Sequence, residues 1–189
     1  MLIFSFVSLL KKGAWKSVGK ANFEKMLNFT SSMVSKFHIG PNHVQIGVIT
    51  FDSKTFQRLN LSQYYDITSI QTEIQKIPYT GQLTDTGAAL KFVLDHGFDP
   101  ASGDRLDAKD VLVVMTDGVS DNAINTVKQA YTLKERHIKV ISIGIGNSVN
   151  KQELIDIASF ESNMFMVTDF TKLILNTLKI HLGRIVTYL

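Results

Sequence analysis

Four short apolar runs decide most of what this chain can become: LIFSFVSLL at residues 2–10, VQIGVITF at 44–51, VLVVM at 111–115 and VISIGI at 140–145. Each has the length of a strand, and none keeps the strict polar–apolar alternation of a strand with one wet face. Strands of this kind are buried on both sides. The segments between them carry apolar residues at helical spacing. ANFEKMLNFTSSMVSKF places Phe23, Met26, Leu27, Met33, Val34 and Phe37 on one stripe. Ile70, Ile74 and Ile77 share a face, and TGAALKFVLDHGF (86–98) reads as a helix ending near His96–Gly97. Residues 122–136 carry Ile124, Val127, Ala130 and Leu133, and residues 151–159 and 170–182 complete the helical set.

Apolar strands alternating with amphipathic helices predict an α/β fold. The expected form is doubly wound, with a mainly parallel central sheet covered by helices on both faces. TFQRLNL (55–61) is more polar and reads as an antiparallel edge strand, paired across DSK with the strand before it. MFMV (164–167) adds a weaker strand, making about six in all. The 189 residues form one domain, 1–189, with neither an internal repeat nor a linker. FDPASGDRLDA and NLSQYY read as exposed decorations of that domain.

Composition narrows the function classes. There is no Cys, so thiolate metal sites and a Cys nucleophile are excluded. The net charge of +3 comes without a long Lys/Arg run, which argues against a nucleic-acid role. Residues 2–10 are too short to span a bilayer. No basic residue precedes them and no small-x-small cleavage site follows. They are therefore read as a retained first strand rather than a signal peptide.

In a doubly wound sheet, ligands bind outside the carboxyl ends of the strands. Asp117 stands directly after VLVVM-Thr116, with Gly118 behind it, and Thr84 and Thr86 open a helix. Such oxygens suit a hard cation. Equally, Asp117 can open a turn or cap the helix that starts near Asp121, and Thr84 can cap its own helix. GIGNSVN contains G-x-G after a strand, but Val149 stands where a dinucleotide fingerprint needs its third Gly. The five His residues do not cluster at ligand spacing, and no nucleophile–base pattern is present. An enzyme reading, a nucleotide-binding enzyme, rests on the G-x-G alone, and the chain is read as non-enzymatic. Asn28-Phe29-Thr30 and Asn60-Leu61-Ser62 are glycosylation sequons.

Taken in order, SVGKANFEKMLNF, IGPNHVQIGVITF, TGQLTDTGAAL, VLVVMTDGVSDN and VISIGIGNSVNKQELIDIAS resemble a von Willebrand factor type A domain of matrix collagens, matrilins and integrin α subunits. The resemblance covers about residues 17–182. It implies a protein-binding module, extracellular or cell-surface related. The expected partner is collagen, another matrix protein or a cell-surface receptor. The family's metal-ion-dependent adhesion site holds Mg²⁺ with a D-x-S-x-S loop, a Thr and an Asp, and an acid from the partner completes the shell. Carried over, these positions are Ser17, Thr84 and Asp117.

The first loop departs from the pattern. Counting back from Ser17, Gly13 stands at the Asp position and Trp15 at the first Ser; with one residue inserted at Lys16, these become Lys12 and Ala14. Either way the acid is missing and lysines lie close by. A dication depends on the charged oxygens around it, so Mg²⁺ or Mn²⁺ is expected to bind weakly or not at all. The alternative is a working Mg²⁺-dependent module in which Asp85 or Asp121 supplies the missing acid.

Overall fold

The computed structural model describes residues 4–11, 20–79, 85–146 and 148–167. Its strands are β1 (Phe4–Lys11), β2 (Val44–Phe51), β3 (Thr55–Leu59), β4 (Lys109–Thr116), β5 (Lys139–Ile145) and β6 (Met164–Val167). They form one sheet in the order β3-β2-β1-β4-β5-β6. Every neighbouring pair is parallel except β2 with β3. The expected mixed sheet with one antiparallel edge strand is therefore present. The β2–β3 turn closes on Asp52, whose carboxylate accepts the Lys54 N–H at 2.8 Å.

The helices are α1 (Lys20–Val34), α2 (Ile67–Gln75), α3 (Thr86–Phe92), α4 (Ala123–Glu135) and α5 (Lys151–Ile157), and a π-helical turn, Val93–Gly97, continues α3. They divide between the two faces because β1 is apolar on both. Leu10 joins one core cluster with Phe23, Met26 and Ile74. Val7 and Leu9 join the other with Leu90, Val93 and Leu133. Val7, Leu9 and Leu10 have no exposed surface, and burying each such side chain is worth about 1.5–3 kcal/mol. Residues 170–182, expected to form a last helix, lie outside the described residues.

Two expectations shift. Helix α4 buries Thr126, Ala130 and Leu133, whereas Ile124 is 85% exposed and Val127 38%. The first turn of α4 approaches α3 closely at Gly87, where a Cβ would stand 3.1 Å from the Thr126 nitrogen, and in this packing Thr126 turns inward, its hydroxyl donating to the Asn122 carbonyl at 3.0 Å. The FDPASGDRLDA segment is also no loose decoration. The Ser102 carbonyl accepts the Leu61 N–H at 2.8 Å. The Arg105 guanidinium donates to the carbonyls of Pro41 and His43 at 2.7 and 2.8 Å. The segment thereby closes the N-terminal end of the sheet.

The topology also places a crevice. From central β1 the chain moves to β2 on one side, and later to β4 on the other. Parallel strands leaving in opposite directions open a cleft at their carboxyl ends. Here that cleft lies beyond Lys11 and Thr116, since Leu10 is level with Met115.

Candidate functional site

At that cleft Asp117 follows β4 directly and is only 2% exposed. Its support is rigid. The Thr116 hydroxyl donates to the Gly118 carbonyl at 3.0 Å and closes a tight turn around Asp117. Beyond the turn, the Ser120 N–H donates to both carboxylate oxygens of Glu153, at 3.1 and 3.2 Å. Asn122, not Asp117 or Asp121, caps α4, its side chain accepting the Asn125 N–H at 3.0 Å. The capping alternative for Asp117 is thereby removed. Of the other candidate ligand positions, Ser17 and Thr84 lie outside the described residues.

Helix α3 is drawn to the same end. The Asp85 side chain caps it, accepting the Ala88 N–H at 2.8 Å. The Asp85 N–H in turn donates to the Asp52 carbonyl at 3.2 Å. Gly87 lets α3 approach α4: a Cβ there would collide with the Asn125 side chain and stand 3.1 Å from the Thr126 nitrogen. Thr86 is 1% exposed, and its hydroxyl has no hydrogen-bond partner among the described residues.

Three acids near this end of the sheet are otherwise engaged. Asp85 holds a helix start, Asp52 holds a turn, and Glu153 holds Ser120. Asp121 is exposed. Among the described residues no three His, Cys, Asp or Glu gather into a metal-binding group. Residues 12–19, KGAWKSVG, contribute two lysines and no carboxylate. The donor set fits the family's Mg²⁺ poorly in one respect: residues 12–19 hold no carboxylate where the pattern has one, and of the nearby acids only Asp121 is not already holding a backbone N–H among the described residues.

The G-x-G that straddles the end of β5 has a structural use. A Cβ on Gly144 would press on Leu154 and lie 3.1 Å from the Val149 side chain, while Gly146 turns the chain at φ 82°. Glu153 was not singled out in the sequence. Asn150 and Glu153 have the N-x-x-E spacing of a helix start, which identifies a cap but not a partner 33 residues away. Among the described residues no helix is long and apolar enough to cross a membrane.

The family model for the von Willebrand factor type A domain matches residues 16–179. The collagen alpha-1(XII) chain of Notophthalmus viridescens is 34% identical over 169 residues, which cover 88% of this chain and 18% of the relative. Matrilin-1 of Homo sapiens is 33% identical over 157 residues, covering 82% of this chain and 31% of the relative. The chain thus spans less than a third of either protein. Proximal thread matrix protein 1 from the mussel byssus, solved with a zinc-occupied MIDAS motif, superposes with a TM-score of 0.85 at 25% identity, over 96% of this chain and 47% of that one. Manganese-loaded Plasmodium vivax TRAP protein, at 21% identity and TM-score 0.77, covers 91% of this chain and 70% of that one and shares the fold.

Proposed function

The chain belongs to the von Willebrand factor type A domain family, and from that premise we propose that it is a non-enzymatic protein-interaction module with a degraded metal-ion-dependent adhesion site. The observation that carries this reading is a buried Asp117 held in a tight turn after β4, together with a sequence at residues 12–19 that has no acid where the family pattern places one. Ser17, Thr84 and Asp117 are the remaining ligand positions, and their count of charged oxygens is too low for tight Mg²⁺ binding. The partner is a matrix protein of the collagen type, met outside the cell; the matrix relatives support that setting.

Without a strong cation to capture a partner's carboxylate, the loop face binds through its own side chains. Val119, 48% exposed, stands two residues beyond Asp117, and Ile124 projects from the start of α4. Apolar side chains on a fixed loop make serviceable anchors.

Two measurements test this. Titration calorimetry with Mg²⁺ and Mn²⁺ is expected to show no binding tighter than about millimolar, the weak end of oxygen-ligand sites. Binding to immobilised collagen is expected to survive EDTA and to fall with Val119→Asp. Micromolar Mg²⁺ affinity abolished by Asp117→Ala would overturn the reading in favour of a working adhesion site.

A further inference from the structure

We propose that the opposite end of the sheet carries a separate cation site, in which Asp104, Asp110, Gln45 and Ser5 present oxygens to a hard divalent ion of the calcium class. The strand register brings three of them into one row. Ser5 of β1 is level with Gln45 of β2 on one side and with Asp110 of β4 on the other. Residues in register on parallel strands share a face, and alternation identifies which. Ser5 lies two residues before Val7, Gln45 four before Ile49, and Asp110 two before Leu112, all on the face that packs against α3 and α4. The fourth residue comes from above. Asp104 sits in the closing segment described earlier, and its carboxyl is hydrogen-bonded to that of Asp110.

What points to a ligand is the state of the oxygens. Ser5 has no exposed surface and Gln45 is 3% exposed. The Ser5 hydroxyl, the Gln45 amide oxygen and one carboxylate oxygen each of Asp104 and Asp110 are buried without a hydrogen-bond partner among the described residues. A buried polar atom left unpaired costs about 1–3 kcal/mol, and natural folds seldom tolerate several together. Two carboxylates, an amide oxygen and a hydroxyl form an oxygen-only set, the kind Ca²⁺ accepts in irregular geometry, with loop carbonyls and water completing its shell. Two acids alone would not make this case; the orphaned neutral oxygens in the same row do.

The Asp104 loop is already anchored for the task. The Asp99 carbonyl accepts the N–H groups of Ser102 and Asp104 at 2.8 and 3.2 Å, and Gly103 turns the chain at φ 90°. The neighbouring Arg105 donates to the Pro41 and His43 carbonyls, and its charge is also felt by Asp107 and Asp104. The site is independent of Asp117, which stands at the other end of β4.

Calcium titration followed by thermal denaturation and calorimetry tests the proposal on the whole chain. The wild type is expected to gain about 3 °C or more in Tm at about 10 mM CaCl₂, the concentration range of extracellular oxygen-ligand sites. Asp110→Asn and Asp104→Asn, each conservative enough to fold, are expected to lose that gain and the calorimetric heat, while Asp117→Ala keeps both. No gain in the wild type, a gain that persists in both Asn variants, or one lost in Asp117→Ala would overturn it. The first two outcomes leave the row to water and a shared proton, and the third assigns the ion to the strand-end cleft.

Discussion

Glu153 and Ser120 are joined by a single donor facing two acceptors: the buried N–H of Ser120 lies 3.1 and 3.2 Å from the two carboxylate oxygens of Glu153. The contact ties the first turn of α5 to the loop that presents Asp117, so the loop owes its position to a helix that follows the next strand.

Replacing Glu153 by Ala strands that N–H in the interior. The expected cost is about 1–3 kcal/mol, read as a lowered urea midpoint with an unchanged slope. Collagen binding is expected to weaken further than stability alone explains, because Val119 sits on the released loop. Glu153→Gln keeps one acceptor and should recover most of both.

Gly87→Ala is expected to push the starts of α3 and α4 apart. The new methyl would collide with Asn125 and come within 3.1 Å of the Thr126 backbone nitrogen. Overpacking of this kind costs about 1–3 kcal/mol. Chemical denaturation measures the loss, and Gly87→Ala combined with Asn125→Ala should return part of it, since only the side-chain clash is relieved.

Stability should depend on pH through Asp110. Burial first, then the neighbouring charge of Asp104 and the hydrogen bond between the two carboxyls, push its pKa from the ordinary 3.8 up to about 7. A group whose folded pKa is raised contributes its stability below the unfolded value and loses it as pH rises towards the folded value. In EDTA, the wild type should therefore fall in Tm relative to Asp110→Asn between pH 3.8 and about 7, with the difference level above that. A difference that stays constant across the window would show that Asp110 titrates normally.

Restoring the first loop should restore metal binding. Gly13→Asp with Trp15→Ser rebuilds the D-x-S-x-S pattern ending on Ser17. The added carboxylate and hydroxyl are expected to tighten Mg²⁺ binding by about tenfold or more, measured by calorimetry. The gain should vanish when Asp117→Ala is added.

Leu9→Ala tests the centre of the sheet. Leu9 is fully buried in β1, between strands that pair with it on both sides. The expected destabilisation is about 2–5 kcal/mol, enough to unfold a marginal domain, and circular dichroism melts would show it.

The fold was legible because its signals are local. A strand buried on both faces must be apolar throughout, as Val111–Met115 and Val140–Ile145 are, and a helix on a sheet must carry a stripe. Those periods survive in one dimension, as did the position of Asp117 after β4 and the missing acid in residues 12–19. Helix α4 shows where such reading stops. Its apolar residues suggested a face through Ile124 and Val127, yet the packed face runs through Thr126, where Gly87 allows α3 to approach closely. Glu153 with Ser120, and Asp104 with the Ser5–Gln45–Asp110 row, leave no trace in the sequence at all. Their partners lie 33 residues apart in one case and on separate strands in the other. Hydrophobic pattern is a property of each segment and can be read from it. Polar pairing, and any site built from it, depends on register and crossing geometry, which arise only when the segments meet.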